Sequence, residues 1–198
     1  MKKVISFLVL VALFAACKPA DRSPGDYLQY MSDPKNGYLI EHKIGHHEYA
    51  IQLATPEYMA CQEQSDKPFN ESIFRARVAE LKNVVYFLIR MKTLSAASDE
   101  VMRPRTLSEA DAAVAYYAQE AMQDIKLKAG EKTFSPVAYE YENNYGLSPY
   151  NTILVAFNTG SSSEDLLLTF DDRYRQAPAI NSSFKQSLLS SAPGVQLK

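Results

Sequence analysis

Tyr38 to Ala54 is the stretch that most limits what this chain can become. Apolar and polar residues alternate on both sides of Gly45-His46. Such alternation is the signature of a half-buried strand pair, and a glycine opening a two-residue connection suits a type II′ hairpin turn. That turn pairs Ile44 with His47, Lys43 with Glu48 and Ile40 with Ile51. One face then collects Ile40, His42, Ile44, His47, Tyr49, Ile51 and Leu53; the other collects Glu41, Lys43, Glu48 and Gln52, with a Lys43–Glu48 ion pair across the strands. A one-residue slip would turn every one of these side chains over, so pattern and turn fix the register together.

The remaining pattern extends this start. Ser23-Pro24 reads as a cap and first position for a short helical turn carrying Tyr27, Leu28, Tyr30 and Met31, and Asp33 to Gly37 is a turn by composition. Thr55-Pro56-Glu57 has the order of an N-cap, a helix-starting proline and a first-turn acid. A second helix is predicted over Asn70–Leu81, with Phe74, Val78 and Leu81 on one side and a Glu71–Arg75 pair on the other. Val84 to Ile89 is apolar on both faces and predicts a central strand covered from both sides. Thr93 to Arg105 reads as a loop. Thr106 and Glu109 form a capping box for a third helix whose stripe is Leu107, Ala110, Val114, Tyr117 and Ala121. Strand-like segments follow at Ile125–Lys128, Val137–Glu142, Ile153–Phe157, Leu166–Phe170 and Ala179–Phe184, with turns at Gly130 and around Asn144-Tyr145-Gly146. Short connections between late strands favour antiparallel pairing. The expected class is α+β: a mainly antiparallel β-sheet or sandwich with about three helices packed against it.

Ahead of this domain stand Lys2-Lys3, a 13-residue apolar run from Val4 to Ala16 broken only by Ser6, and then Cys17. Charged and apolar regions in that order form a secretory signal, and the run is too short to span a bilayer. Leu13-Phe14-Ala15-Ala16-Cys17 resembles the lipobox of bacterial lipoproteins, with Phe14 where Leu is usual. The resemblance implies cleavage before Cys17 and attachment of diacylglycerol and palmitate-type chains to that residue. It divides the chain into a signal peptide (1–16), a lipidated cysteine and tether (17–26) and one globular domain (27–198). It also implies a likeness to the envelope lipoproteins of this size in Gram-negative bacteria, a likeness that brings no active-site residues with it. Lys18, rather than Asp, follows the cysteine, and the tether lacks the acidic cluster used in some lineages for surface export. By the same resemblance the expected location is the outer membrane, facing the periplasm.

Removal of the leader leaves 19 basic against 23 acidic side chains. An acidic domain without basic runs is a poor ligand for a phosphate backbone, so nucleic acid is not an expected partner. Membrane attachment therefore rests on acyl chains, each buried CH₂ adding about 0.8 kcal/mol. Cys61 is the one other cysteine, which excludes an internal disulfide framework once Cys17 is acylated. It is expected to be a small buried residue of a helix.

The residues that could carry chemistry are few. His42 and His47 share a hairpin face and are the candidate metal ligands, yet zinc needs three or four converging groups and no H-E-x-x-H spacing is present. Gly160-Ser161 lacks the second glycine of a nucleophile elbow. No two of the seven glycines lie closer than eight positions, which excludes glycine-rich phosphate loops. Glu140 and Glu142 point the same way from one strand, not across a cleft, and Asp171-Asp172-Arg173 reads as a turn. Tyr139, Tyr141, Tyr145 and Tyr150 gather around one turn and are the candidate ligand-binding residues, since exposed tyrosines can form a platform for a glycan. Alternation with Glu140 and Glu142 sets the other expectation, that Tyr139 and Tyr141 face the core.

These features favour a non-enzymatic accessory protein of the envelope, anchored through Cys17, with an envelope protein as partner and no cofactor. The alternatives are a glycan- or small-ligand-binding lipoprotein using the tyrosines, and a hydrolase or metalloenzyme built on His42 and His47.

Overall fold

The hairpin forms in the register its alternation requires. Strands β1 (Leu39–Ile44) and β2 (His47–Ala54) pair antiparallel, with Ile44 opposite His47, Lys43 opposite Glu48 and Ile40 opposite Ile51. Gly45 takes the positive φ of 58° that the first position of a primed turn needs. The structure, a computed structural model, describes residues 20–93, 112–143, 148–160 and 162–197. Cys17, the capping box at Thr106 and Glu109, Leu107, Ala110, Tyr145 and the Asn144–Gly146 turn lie outside the described residues.

Two antiparallel sheets face each other. The first has the order β1-β2-β3-β7-β6, with β3 at Val85–Thr93, β6 at Ala138–Glu142 and β7 at Asn151–Phe157. The second has the order β5-β4-β8-β9, with β4 at Ile125–Ala129, β5 at Lys132–Phe134, β8 at Leu166–Phe170 and β9 at Ile180–Phe184. The chain is thus α+β and largely antiparallel. The doubly apolar run at Val85–Ile89 occupies the middle of the first sheet and continues to Thr93, further than its hydrophobic stretch.

Between the sheets lie Tyr49, Ile51, Leu53, Phe87, Ile89, Ile153, Val155 and Phe157 from one side and Ile125, Leu127, Leu168, Phe170, Ile180 and Phe184 from the other, all buried. Phe87 meets Phe184 with ring centroids 5.4 Å apart, and Tyr49 meets Phe170 edge-on at 6.4 Å. Interleaved rings of this kind fill the roughly 10 Å gap between packed sheets.

Helices cover the other face of the first sheet. Thr55 caps α2 (Pro56–Gln62) by accepting from the Tyr58 amide, and Asn70 caps α3 (Glu71–Glu80) by accepting from the Ile73 amide. The Glu71–Arg75 pair closes at 2.7 Å, while Phe74 and Leu81 are buried and Val78 packs against the core. Ser23 caps α1 (Pro24–Met31), whose Tyr27 and Met31 are buried. Tyr27 Oη lies 2.7 Å from Thr55 Oγ1, so one hydroxyl both caps α2 and holds α1 to it. Buried Gln52 donates to the carbonyls of Met31, Tyr38 and Leu53, tying α1 to the sheet.

Three expectations are corrected. Arg22, assigned to the tether, is bonded to the folded body one residue ahead of the expected cap at Ser23: its amide donates to Gly194 O at 2.9 Å and its carbonyl accepts from Gln196 at 2.7 Å. This forms a parallel bridge between Arg22 and Val195, a pairing of chain ends that local pattern does not reveal. The ion pair of Glu48 is with Lys92 of β3, at 2.8 Å, rather than with Lys43, because Lys92 faces it from the interior side of β2. The third helix is α-helical over 112–115 and then loses that spacing, with a π turn at Tyr116–Glu120 followed by a 3₁₀ turn at Ala121–Asp124.

Candidate functional site

The π turn changes which side chains point inward. A turn with an extra residue brings the adjacent Tyr116 and Tyr117 both against the sandwich, where both are buried. Beyond Phe170 the chain leaves β8, and Asp172 turns back underneath those rings with no exposure to solvent. Tyr49 Oη donates to Asp172 Oδ2 at 2.9 Å, and Tyr117 Oη sits 3.0 and 2.9 Å from its two oxygens. The Arg175 amide donates to Oδ1 at 3.2 Å. The Asp172 carboxylate therefore collects donors from three separate parts of the chain.

The charge is balanced locally. The Arg175 side chain is 4% exposed, with Nε 3.9 Å from Asp172 Oδ2 and its guanidinium carbon 5.5 and 5.8 Å from the ring centres of Tyr49 and Tyr117. A carboxylate out of water needs both hydrogen bonds and an opposite charge, and this one has both. Burial pushes the Tyr49 and Tyr117 hydroxyls well above the usual tyrosine range, Asp172 adding to the effect and Arg175 opposing it. Both phenols therefore remain protonated donors. Asp172 acts as a clasp: it closes the β8–β9 loop onto β2 and onto the π turn.

A second carboxylate repeats the arrangement nearer the surface. Tyr116 Oη donates to Asp124 Oδ2 at 2.9 Å, Arg173 Nε donates to the same oxygen at 2.7 Å, and the Arg173 amide donates to Tyr116 Oη at 3.2 Å. Tyr174 stacks on Tyr116 at 5.9 Å and is 40% exposed, and the Arg173 side chain is 53% exposed. The outer rim of the cluster is thus tyrosine and arginine, the residue types that dominate binding hot spots.

The sequence-derived site residues are divided by the fold. Tyr139 and Tyr141 lie opposite Val155 and Ile153 and turn inward, as alternation with the exposed Glu140 and Glu142 requires. Tyr139 Oη donates to the Tyr117 carbonyl, and the Tyr141 ring stacks on Tyr117 at 5.4 Å. Tyr150 stands on the other face of the sheet, where Lys92 Nζ lies 3.4 Å from its hydroxyl. The described tyrosines of that group do not form one platform. His42 and His47 share the hairpin face, but His42 Nε2 lies 2.8 Å from Ser182 Oγ across the sandwich. Burial lowers both imidazoles' basicity, and the Arg175 charge lowers that of His47 further. Among the described residues no group of three His, Cys, Asp or Glu side chains is placed to hold a metal ion.

Cys61 is 2% exposed, and burial pushes its thiol up to about 12, which keeps it a protonated packing residue. An open depression of about 750 Å³, lined by Gly130, Lys132, Thr159, Ser162 and Glu164, lies at the opposite end of the strands from Asp172. The Asp172 clasp itself was missed. Asp171-Asp172-Arg173 has the composition of a solvated turn, and only the inward-facing Tyr49 and Tyr117, on two distant segments, make it a core feature. No protein-family model, no curated protein and no solved structure matches this chain.

Proposed function

We propose that this protein is a non-enzymatic accessory protein of the cell envelope, held to the outer membrane by acyl chains on Cys17 and engaging an envelope protein through its folded body. The observation that carries the reading is the position of Arg22. Arg22 is pinned to Gly194 and Gln196, and only five peptide units separate it from Cys17. A chain that short reaches at most about 18 Å, so an acylated Cys17 would hold the body at the membrane surface rather than on a long leash. Such confinement raises the effective concentration of the body beside other membrane-attached proteins. The closed bonding of Asp172 favours a scaffold over a catalyst, since the buried carboxylate already has its oxygens engaged. The exposed Arg173 and Tyr174 supply the chemistry of a contact surface.

The test has two arms in cells. Radiolabelled palmitate is expected to enter the wild-type protein and to be absent from Cys17→Ala, which should leave the membrane fraction. A photo-crosslinking residue replacing Tyr174 is expected to give discrete adducts that require Cys17. Label in Cys17→Ala would overturn the anchor; a membrane-bound protein without adducts would overturn the accessory role at this rim.

A further inference from the structure

We infer that one end of the sandwich, carrying the start of α1, the helix α4 (Leu188–Ser191) and the C-terminal tail, is the surface that faces the lipid bilayer, and that the Asp172 end is presented away from it. The inference rests on the proposed acylation of Cys17 and adds a direction to it.

The strands define two poles. At one pole are Tyr38, the end of β2 at Ala54, the start of β3 at Val85 and the end of β7 at Phe157, all joined by strand pairing. Tyr38 Oη donates to Leu188 O at 3.0 Å, and Leu188 lies against Gly37, which places α4 at this pole. The Arg22 guanidinium lies 4.4 Å from the centre of the Tyr30 ring, and Tyr30 packs on Tyr38 at 6.2 Å, which places the pinned end of the tether there too. At the other pole are the Gly45-His46 turn, Thr93, the start of β7 at Asn151 and the Asp172 loop, linked through Tyr49.

The eight residues of β2 separate the poles by roughly 23 Å at the usual rise per residue. The five-unit tether is shorter than that separation even when fully drawn out, at about 18 Å. A body held at one pole by a lead shorter than its own length cannot stand on the other pole. The bilayer holding the acyl chains is therefore the surface that the tethered pole meets, and Arg173, Tyr174 and the hairpin point toward whatever lies beyond.

The test uses the full chain, expressed in a Gram-negative host, purified in mild detergent and mixed into vesicles of phosphatidylethanolamine and phosphatidylglycerol. In a Cys61→Ala background, single fluorophores are attached at Lys35→Cys or Ser190→Cys near the tether and at His46→Cys or Gln119→Cys near Asp172, all at exposed positions. Quenching by a lipid with a spin-labelled headgroup is expected to be several-fold stronger at the first pair than at the second. Inserting about 25 Gly/Ser residues after Ala20 should erase the difference. Flotation with the vesicles but equal quenching at all four positions, or stronger quenching at His46→Cys, would overturn the orientation alone. Loss of flotation together with an unmodified Cys17 peptide by mass would overturn the anchor, and the orientation with it.

Discussion

Tyr49 of β2 and Asp172 of the β8–β9 loop, 123 positions apart in the chain, meet at 2.9 Å, out of contact with water. Tyr117 completes the clasp from a third segment, and Arg175 supplies the balancing charge. The stability of this end of the sandwich depends on those four side chains together.

Tyr117→Phe keeps the ring and its contact with Tyr141 but removes the hydroxyl facing Asp172. Losing a donor to a buried charged group is expected to cost about 1–3 kcal/mol. Asp172→Ala leaves Arg175 buried without its carboxylate and is expected to cost about 3–5 kcal/mol. Tyr49→Phe and Tyr117→Phe share one acceptor, so their effects should not add, with a coupling of about 0.5–3 kcal/mol. Urea unfolding of the singles and the double reads all three.

Thr55→Ala removes the cap of α2 and, with the same atom, the partner of the buried Tyr27 hydroxyl. The loss is expected to reach about 2 kcal/mol or more, above an ordinary cap deletion. Thr55→Ser, which keeps the oxygen, should recover most of it. A cap worth the usual increment in both variants would show that the Tyr27 contact contributes nothing.

Burial lowers the pKa of His42 and His47 in the folded protein below the ordinary histidine value of 6.5. The unfolded chain then binds protons first as acidity rises, so stability should be steady above about pH 7 and fall as pH drops through 6.5 toward 5.5. In that window ordinary carboxylates remain ionised. A His42→Gln/His47→Gln variant should show a flatter stability profile between pH 7.5 and 5.5. An unchanged slope would place the proton uptake elsewhere.

Cys61 should resist thiol reagents while the protein is folded. In Cys17→Ala, where it is the one remaining thiol, an aromatic disulfide reagent at pH 8 is expected to react only after urea is added. Prompt reaction in the native state would contradict the burial of Cys61 on α2.

The hairpin, the capped helices at Thr55 and Asn70 and the central strand at Val85 were legible because each is written in neighbouring residues. Alternation by two, a cap before a turn of helix, and an unbroken apolar run are local consequences of backbone geometry. The inward direction of Tyr139 and Tyr141 follows from the same alternation with Glu140 and Glu142. The π turn was not legible, since the stripe through Val114, Tyr117 and Ala121 suits an ordinary helix and gives no reason for Tyr116 to be buried as well.

What the chain alone determined, then, is its class, its hairpin register and the residues that start its helices, because those depend on short-range sterics and on which side chains avoid water. Tertiary structure decided the rest. Whether Asp172 is a solvated turn residue or a buried clasp depends on Tyr49 and Tyr117 arriving from distant segments to meet it beside Arg175, and Arg22 becomes part of the body only because Gly194 and Gln196 return to it. Long-range hydrogen bonds carry no local signature: their stabilisation exists only after the segments between them have been folded into place.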